Sequence, residues 1–185
     1  MLKMRDLQEA PALYELIKHP EVFPFVRNKA YSSEEFLFIT KQTMEAEEHG
    51  ELISRTILDE YCHPIGTISL FDIQDGYGFL GTWIGQPYFG KGYNKHAKEQ
   101  FFDELFFTHD MNGVFMKVRK TNNRSLKAVL KLPYATLANK TYPNVYNAVN
   151  AKEEVYDLFV ISKELYISYQ TFATGEQIIS ENEVG

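Results

Sequence analysis

Along the chain, apolar positions first recur at helical spacing and then switch to alternation. Residues 2–5 read as a short strand. Asp6-Leu7-Gln8-Glu9 has the form of a capping box, and Leu7, Ala10, Leu13, Tyr14 and Ile17 share one helical face. Pro11 sets the start of the regular helix near itself rather than at Leu7, and His19-Pro20 ends it. Ser32-Ser33-Glu34-Glu35 opens a second helix that carries Phe36, Ile39, Thr40 and Met44, with Gly50 as its stop.

The period then changes to two. Residues 51–58, 64–73 and 78–85 read as three strands, joined by Asp59-Glu60-Tyr61-Cys62-His63 and by Gln74-Asp75-Gly76-Tyr77. Connections of hairpin length make the strands antiparallel. Residues 90–107 read as a helix, with Tyr93, Ala97, Phe101 and Leu105 four apart. Val114, Met116 and Val118 alternate with Phe115, Lys117 and Arg119, a strand pattern. Asn122 or Asn123 caps a short helix that Pro133 terminates. Residues 135–154 hold one short helix, residues 156–161 a late strand, and residues 165–169 its continuation. Residues 171–185 are polar and acidic and predict a loose tail. The order β-α-α-β-β-β-α-β-α-β makes a single domain of the α/β (α+β) class over residues 1–168, with residues 169–185 as a C-terminal tail.

Composition narrows the function classes. Twelve Tyr and fourteen Phe in 185 residues give enough large side chains for a substantial core. The single cysteine, Cys62, cannot build a disulfide framework or a cysteine metal site, so no metal is expected. No long apolar run follows the N-terminal charges and none approaches a bilayer span, which predicts a cytoplasmic protein without membrane contact. A net charge of −6 argues against nucleic-acid binding. Residues 111–151 contain no Asp or Glu but seven Lys and Arg, which leaves −13 on the remainder. A basic region on an acidic chain suits a compact polyanionic ligand or is a solvated face.

The chemistry-bearing segment is Gln86-Pro87-Tyr88-Phe89-Gly90-Lys91-Gly92-Tyr93-Asn94, set between a strand and a long helix. Such a turn aims backbone N–H groups and the positive end of the helix dipole at one point, and Gly90 and Gly92 let a phosphate approach the main chain. No Gly-Lys-Ser/Thr follows as in a P-loop, and the third glycine of a dinucleotide fingerprint is absent. By itself the segment reads either as a diphosphate cradle or as a simple glycine turn.

Four stretches, in this order, resemble the GNAT acetyltransferases, in particular their ribosomal-protein N-terminal acetyltransferase branch. They are Gly66-Thr67-Ile68-Ser69-Leu70, Trp83-Ile84-Gly85, Phe89-Gly90-Lys91-Gly92-Tyr93, and Asn122-Asn123-Arg124-Ser125 with Lys131-Leu132 closing its helix. Tyr156-Asp157-Leu158-Phe159-Val160-Ile161 suits the branch's late strand, and the resemblance spans residues 2–168. It implies the acyl-CoA N-acyltransferase fold: a mixed central sheet with an antiparallel meander and helices on both faces, whose fourth strand splays from the next to admit CoA. It also implies an acyltransferase that moves an acetyl group from acetyl-CoA directly to an amine. Amides near Trp83 and Ile84 would meet the acetyl carbonyl and pantetheine. Those of Phe89, Gly90, Lys91, Gly92, Tyr93 and Asn94 would hold the diphosphate, and the Asn122 side chain the pantetheine arm. Some of Arg119, Lys120, Arg124 and Lys127 would face the adenosine phosphates.

The sequence departs from the family pattern in four places. Phe89 stands where Gln or Arg is usual, and Asn94 stands where a small residue is. Pro133-Tyr134 replaces Gly-Phe, and Val129 occupies the position of the tyrosine that protonates the leaving thiolate in many relatives. Ser125 is the nearest substitute acid, with an ordinary helix-start serine as its other reading; Tyr134 and Tyr93 are weaker candidates. Asp72 and Glu51 are the candidate bases, although for both a solvated surface carboxylate is the stronger reading. The missing tyrosine leaves open a non-catalytic module that binds acyl-CoA as sensor or scaffold. The acidic remainder and many aromatics suit a cationic amine acceptor, walled by the first two helices. Dimers are frequent in the branch, which leaves a homodimer open.

Overall fold

A computed structural model describes residues 1–182, with side chains through Phe172. The chain forms two compact units, Met1–Asp110 and Met111–Gly185.

In the first unit, β1 (Leu2–Met4) leads to a 3-10 turn (Leu7–Glu9) capped by Asp6, whose carboxylate accepts from Gln8 N. Helix α1 (Ala10–Ile17) follows with Pro11 in its first turn, as the missing proline N–H requires. Ser32 caps α2 (Ser33–Glu48) by accepting from Glu35 N at 3.1 Å. Gly50, at φ 74°, turns the chain out of the helix. Strands β2 (Ile53–Leu58), β3 (Pro64–Gln74) and β4 (Tyr77–Ile84) form the expected antiparallel meander, with β1 paired antiparallel to β2. Asp75 and Gly76 both have positive φ, the geometry that makes Asp-Gly a tight hairpin turn. A bulge lies between Phe71 and Gln74, and within it Asp72 has φ 53°. Apolar faces of α1 and α2 build a core from Leu13, Ile17, Val22 and Phe36, against which Trp83 and Phe89 pack.

Helix α3 (Tyr93–Asp103) runs on into a π-helical turn (Glu104–Thr108), which the four-residue spacing did not reveal. Its Glu104 takes part in a buried ion cluster with Arg55 of β2 and Glu47 of α2. Burial lowers the Arg55 pKa, but the hydrogen bonds it donates to both carboxylates, with their charges, outweigh it and leave the guanidinium above its ordinary value.

In the second unit, β5 (Gly113–Arg119), β7 (Tyr156–Ser162) and the short β6 (Thr136–Leu137) pair antiparallel, β7 in the middle. Helix α4 (Asn123–Val129) follows β5, and α5 (Pro143–Val149) is the short helix expected among residues 135–154. Residues 165–169 do not continue β7. They belong to α6 (Lys163–Asn182), in which Tyr166 is fully buried and rings with Tyr134 at 4.9 Å. A helix explains the pattern because Ser162 Oγ accepts from Leu165 N at 3.3 Å, starting a new element at the strand's end. The helix extends into the segment expected to be a tail; residues 183–185 lie outside the described residues. The α/β (α+β) class is observed. Among the described residues, no helix is long and apolar enough to cross a membrane.

Candidate functional site

The first candidate site begins at the end of β4. Gly66 of β3 stands opposite Ile84, and a Cβ there would fall 2.2 Å from Trp83 O, so only glycine permits this approach. Gly85 N–H closes the ladder on Ile65 O at 2.8 Å. A short 3-10 turn (Gln86–Tyr88) reverses the chain, and Phe89 turns its ring into the α1–α2 core. Gly90 and Gly92 then take φ of 74° and 87°, and a Cβ on either would meet nothing within 4 Å. Glycine is required there by the left-handed backbone, and the space beside it is open.

Helix α3 starts on Gly92 with no side-chain cap, and its first bond runs from His96 N to Gly92 O at 3.1 Å. Among the described residues, the main-chain N–H groups of residues 90–95 have no acceptor. The loop is exposed at Gly90, Lys91 and Gly92, so these donors face solvent, and a helix start with free N–H groups has the geometry and the charge that an anion can use. The side chains brace the loop rather than fill it. Asn94 Oδ1 accepts from Thr82 Oγ1 at 3.3 Å, back on β4. The Tyr93 ring meets Tyr88 edge-on at 5.9 Å, and its hydroxyl donates to the Glu60 carboxylate. That bond holds Glu60 below the ordinary carboxylate range and, with burial and the Glu60 charge, pushes Tyr93 up to about 12.

At the start of α4, Asn122 Oδ1 accepts from Ser125 N at 3.1 Å, so the expected cap is formed by Asn122 rather than Asn123. Its Nδ2 and the Ser125 hydroxyl have no protein partner among the described residues. Val129 is buried and serves packing. Tyr134 is buried against Tyr166 and Tyr169. In the basic segment Lys120 is paired to Glu154 at 2.6 Å, while Lys117 and Arg119 lie over the Tyr156 ring at 5.7 and 5.5 Å.

Asp72 and Glu51 line a separate cleft of about 500 Å³ at the opposite end of the meander, together with Arg27, Lys29, Gln42 and Phe71. Phe71 pairs with Phe79, five residues along β4 from Ile84 and so roughly 17 Å away at a strand rise. Neither carboxylate is beside Trp83 and Ile84. His96 is exposed on α3, and His109 stands 3.4 Å from Glu104 at its end. Among the described residues no group of three or more His, Cys, Asp or Glu could hold a metal ion.

The family model described as Acetyltransferase (GNAT) domain matches residues 2–134. The chain belongs to the GNAT acetyltransferase family. It is an acyltransferase, and members of this family use acetyl-CoA as cosubstrate. No curated protein is significantly similar to it in sequence. Among solved structures, apo FdhC, a nucleotide-linked sugar GNAT, is 15% identical with a TM-score of 0.74, over 94% of this chain and 92% of that one. A ribosomal-protein-S5-alanine acetyltransferase from Vibrio fischeri is 16% identical with a TM-score of 0.68, over 88% and 92%. A spermidine N-acetyltransferase chimera from Vibrio cholerae and hSSAT is 13% identical with a TM-score of 0.69, over 90% and 97%. At these identities the likeness is one of fold.

Proposed function

We propose that residues 1–168 form a cytoplasmic N-acetyltransferase, nearest the ribosomal-protein N-terminal branch, acting on a primary amine of a small molecule or a protein N-terminus. The observation that carries this reading is the run of open main-chain N–H groups over residues 90–95 at the start of an eleven-residue helix. These donors suit a diphosphate because they are fixed before the ligand arrives and add to the helix dipole.

Acetyl-CoA supplies an activated acyl carbon with a thiolate leaving group. Gly90, Lys91, Gly92, Tyr93 and Asn94 bind its diphosphate through the main chain; the Phe89 N–H, expected among these donors, is spent on Gln86 O at 3.1 Å, and Tyr88, Tyr93 and Glu60 keep the loop in shape. An amide near Trp83 or Ile84 stabilises negative charge on the acetyl oxygen. The Asn122 Nδ2, left over from capping, donates to the pantetheine arm; as the amine nitrogen bonds the acetyl carbon and the C–S bond breaks, the Ser125 hydroxyl gives a proton to the sulfur and regains one from solvent, which takes up the proton the amine loses. With the chemistry resting on placement and an oxyanion donor, a valine at position 129 does not forbid turnover.

Calorimetric titration with acetyl-CoA, followed by CoA release on a broad amine panel, tests the reading. We expect saturable binding and acceptor-dependent release. Absence of binding heat would remove the diphosphate assignment, and binding without release from any amine would remove the transfer reaction.

A further inference from the structure

The cleft at the bulged end of the meander lies several strand residues from Trp83 and Ile84. Its charges are balanced, with Arg27 and Lys29 against Glu51 and Asp72. They are not equivalent. Lys29 Nζ donates to Phe23 O and lies 4.8 Å over the Phe23 ring, so it is turned to its own segment. Arg27 is held on both sides: its guanidinium lies 4.4 Å over the Phe71 ring and donates to both Asp72 oxygens at 2.8–2.9 Å. The bulge that gives Asp72 its φ of 53° aims this carboxylate at Arg27. An exposed pair of this kind is worth little as a tie. Its geometric effect is to present a guanidinium in a fixed plane, with its Nε–H and outward hydrogens unused by Asp72. The Glu51 carboxylate has no partner among the described residues. The lining also includes apolar Ile39, Leu52 and Phe71, and polar Gln42.

We propose that this cleft binds a zwitterion of the amino-acid class, its carboxylate on Arg27 and its ammonium on Glu51. A planar fork recognises a carboxylate bidentately, a free carboxylate takes an ammonium, and the methylenes between them cover the apolar lining. A simple amine satisfies only Glu51, a simple acid only Arg27, and a polyamine brings positive charge that a balanced cleft does not match. Asp72 is a positioning residue, acting through Arg27.

Calorimetry with a series of ω-amino acids, glycine through 6-aminohexanoate, tests the site on the full chain without acetyl-CoA. Butylamine and butanoate serve as single-charge controls. We expect one chain length to bind at least tenfold tighter than either control. Arg27→Gln and Glu51→Gln should each lose that preference while leaving the melting temperature and acetyl-CoA binding unchanged. Arg27→Lys, which keeps the charge without the fork, should lose it in part. The proposal is overturned if no member of the series binds, if butylamine binds as tightly as the best of them, or if either glutamine variant keeps the preference.

Discussion

Two helix starts, one in each unit, solve the same problem in opposite ways. Helix α4 closes its own first turn, with Asn122 Oδ1 supplying an acceptor for Ser125 N. Helix α3 begins on Gly92, which has no side chain to offer, and its first-turn donors stay open. A side-chain cap contributes about 1 kcal/mol, so the open start is less stable by itself and more useful to an anion. Helix α3 carries a further burden in Lys98, which is buried without a partner among the described residues. Burial pushes its amine down to about 8. The contrast teaches that a capped helix start completes its own first turn, while an uncapped one keeps its donors for something else.

The strongest way to break this contrast is to put side chains into the open start. Replacing both Gly90 and Gly92 by Ala forces two left-handed residues, a strain of about 1–2 kcal/mol each. We expect acetyl-CoA affinity to fall at least hundredfold by calorimetry, far more than the melting temperature predicts. A variant that binds normally would show that the open donors are not the phosphate site.

Next in size is Lys98→Met. Lysine ordinarily titrates at 10.5 and here at about 8, so between those values the unfolded chain binds more protons than the folded one. Stability therefore rises with pH across that window and is lowest where Lys98 is charged. The substitution should stabilise the protein at pH 7 by on the order of 2–3 kcal/mol and flatten the rise, as read by denaturant unfolding at several pH values.

The cap of α4 provides the reciprocal test. Asn122→Ala should cost about 1 kcal/mol in stability. Asn122→Asp keeps an acceptor for Ser125 N but removes the Nδ2 donor, so it should hold the melting temperature and weaken acetyl-CoA binding. Equal stability loss in both variants would mean that capping is not what Asn122 does for the fold.

The smallest effect belongs to Tyr93→Phe. The Glu60 pKa is depressed, so its share of stability is present above the ordinary carboxylate value of 4.5 and lost as pH falls below it. The Tyr93 pKa is raised, so its share is present below 10 and lost as pH rises through about 12. At pH 7 the variant should change acetyl-CoA affinity by less than about tenfold, and its melting temperature should fall less steeply toward both pH extremes than that of the parent protein.

Much of the first unit was legible because its signals are local. Asp6, Ser32, Pro11 and Gly50 punctuate the helices, Asp75-Gly76 forces the hairpin, and Gly90 and Gly92 mark the open loop. The cleft was not legible, because it depends on a bulge that turns Asp72 toward a residue distant in sequence. The π-helical turn was hidden for a related reason: the Glu104–Arg55 contact that accompanies it is long-range, while the apolar spacing continues through it. Residues 165–169 misled because a short apolar alternation fits a strand or a helix, and burial of Tyr166 against Tyr134 decides between them.

Trp83 is the only tryptophan in the chain, and it packs with Phe89 against the α1–α2 core three residues before the loop begins at Gln86. The protein thus contains an intrinsic optical probe whose emission is free of any second indole. Shifts in its colour or quenching on ligand addition would report rearrangement at the end of β4, in a stopped-flow instrument and without labels.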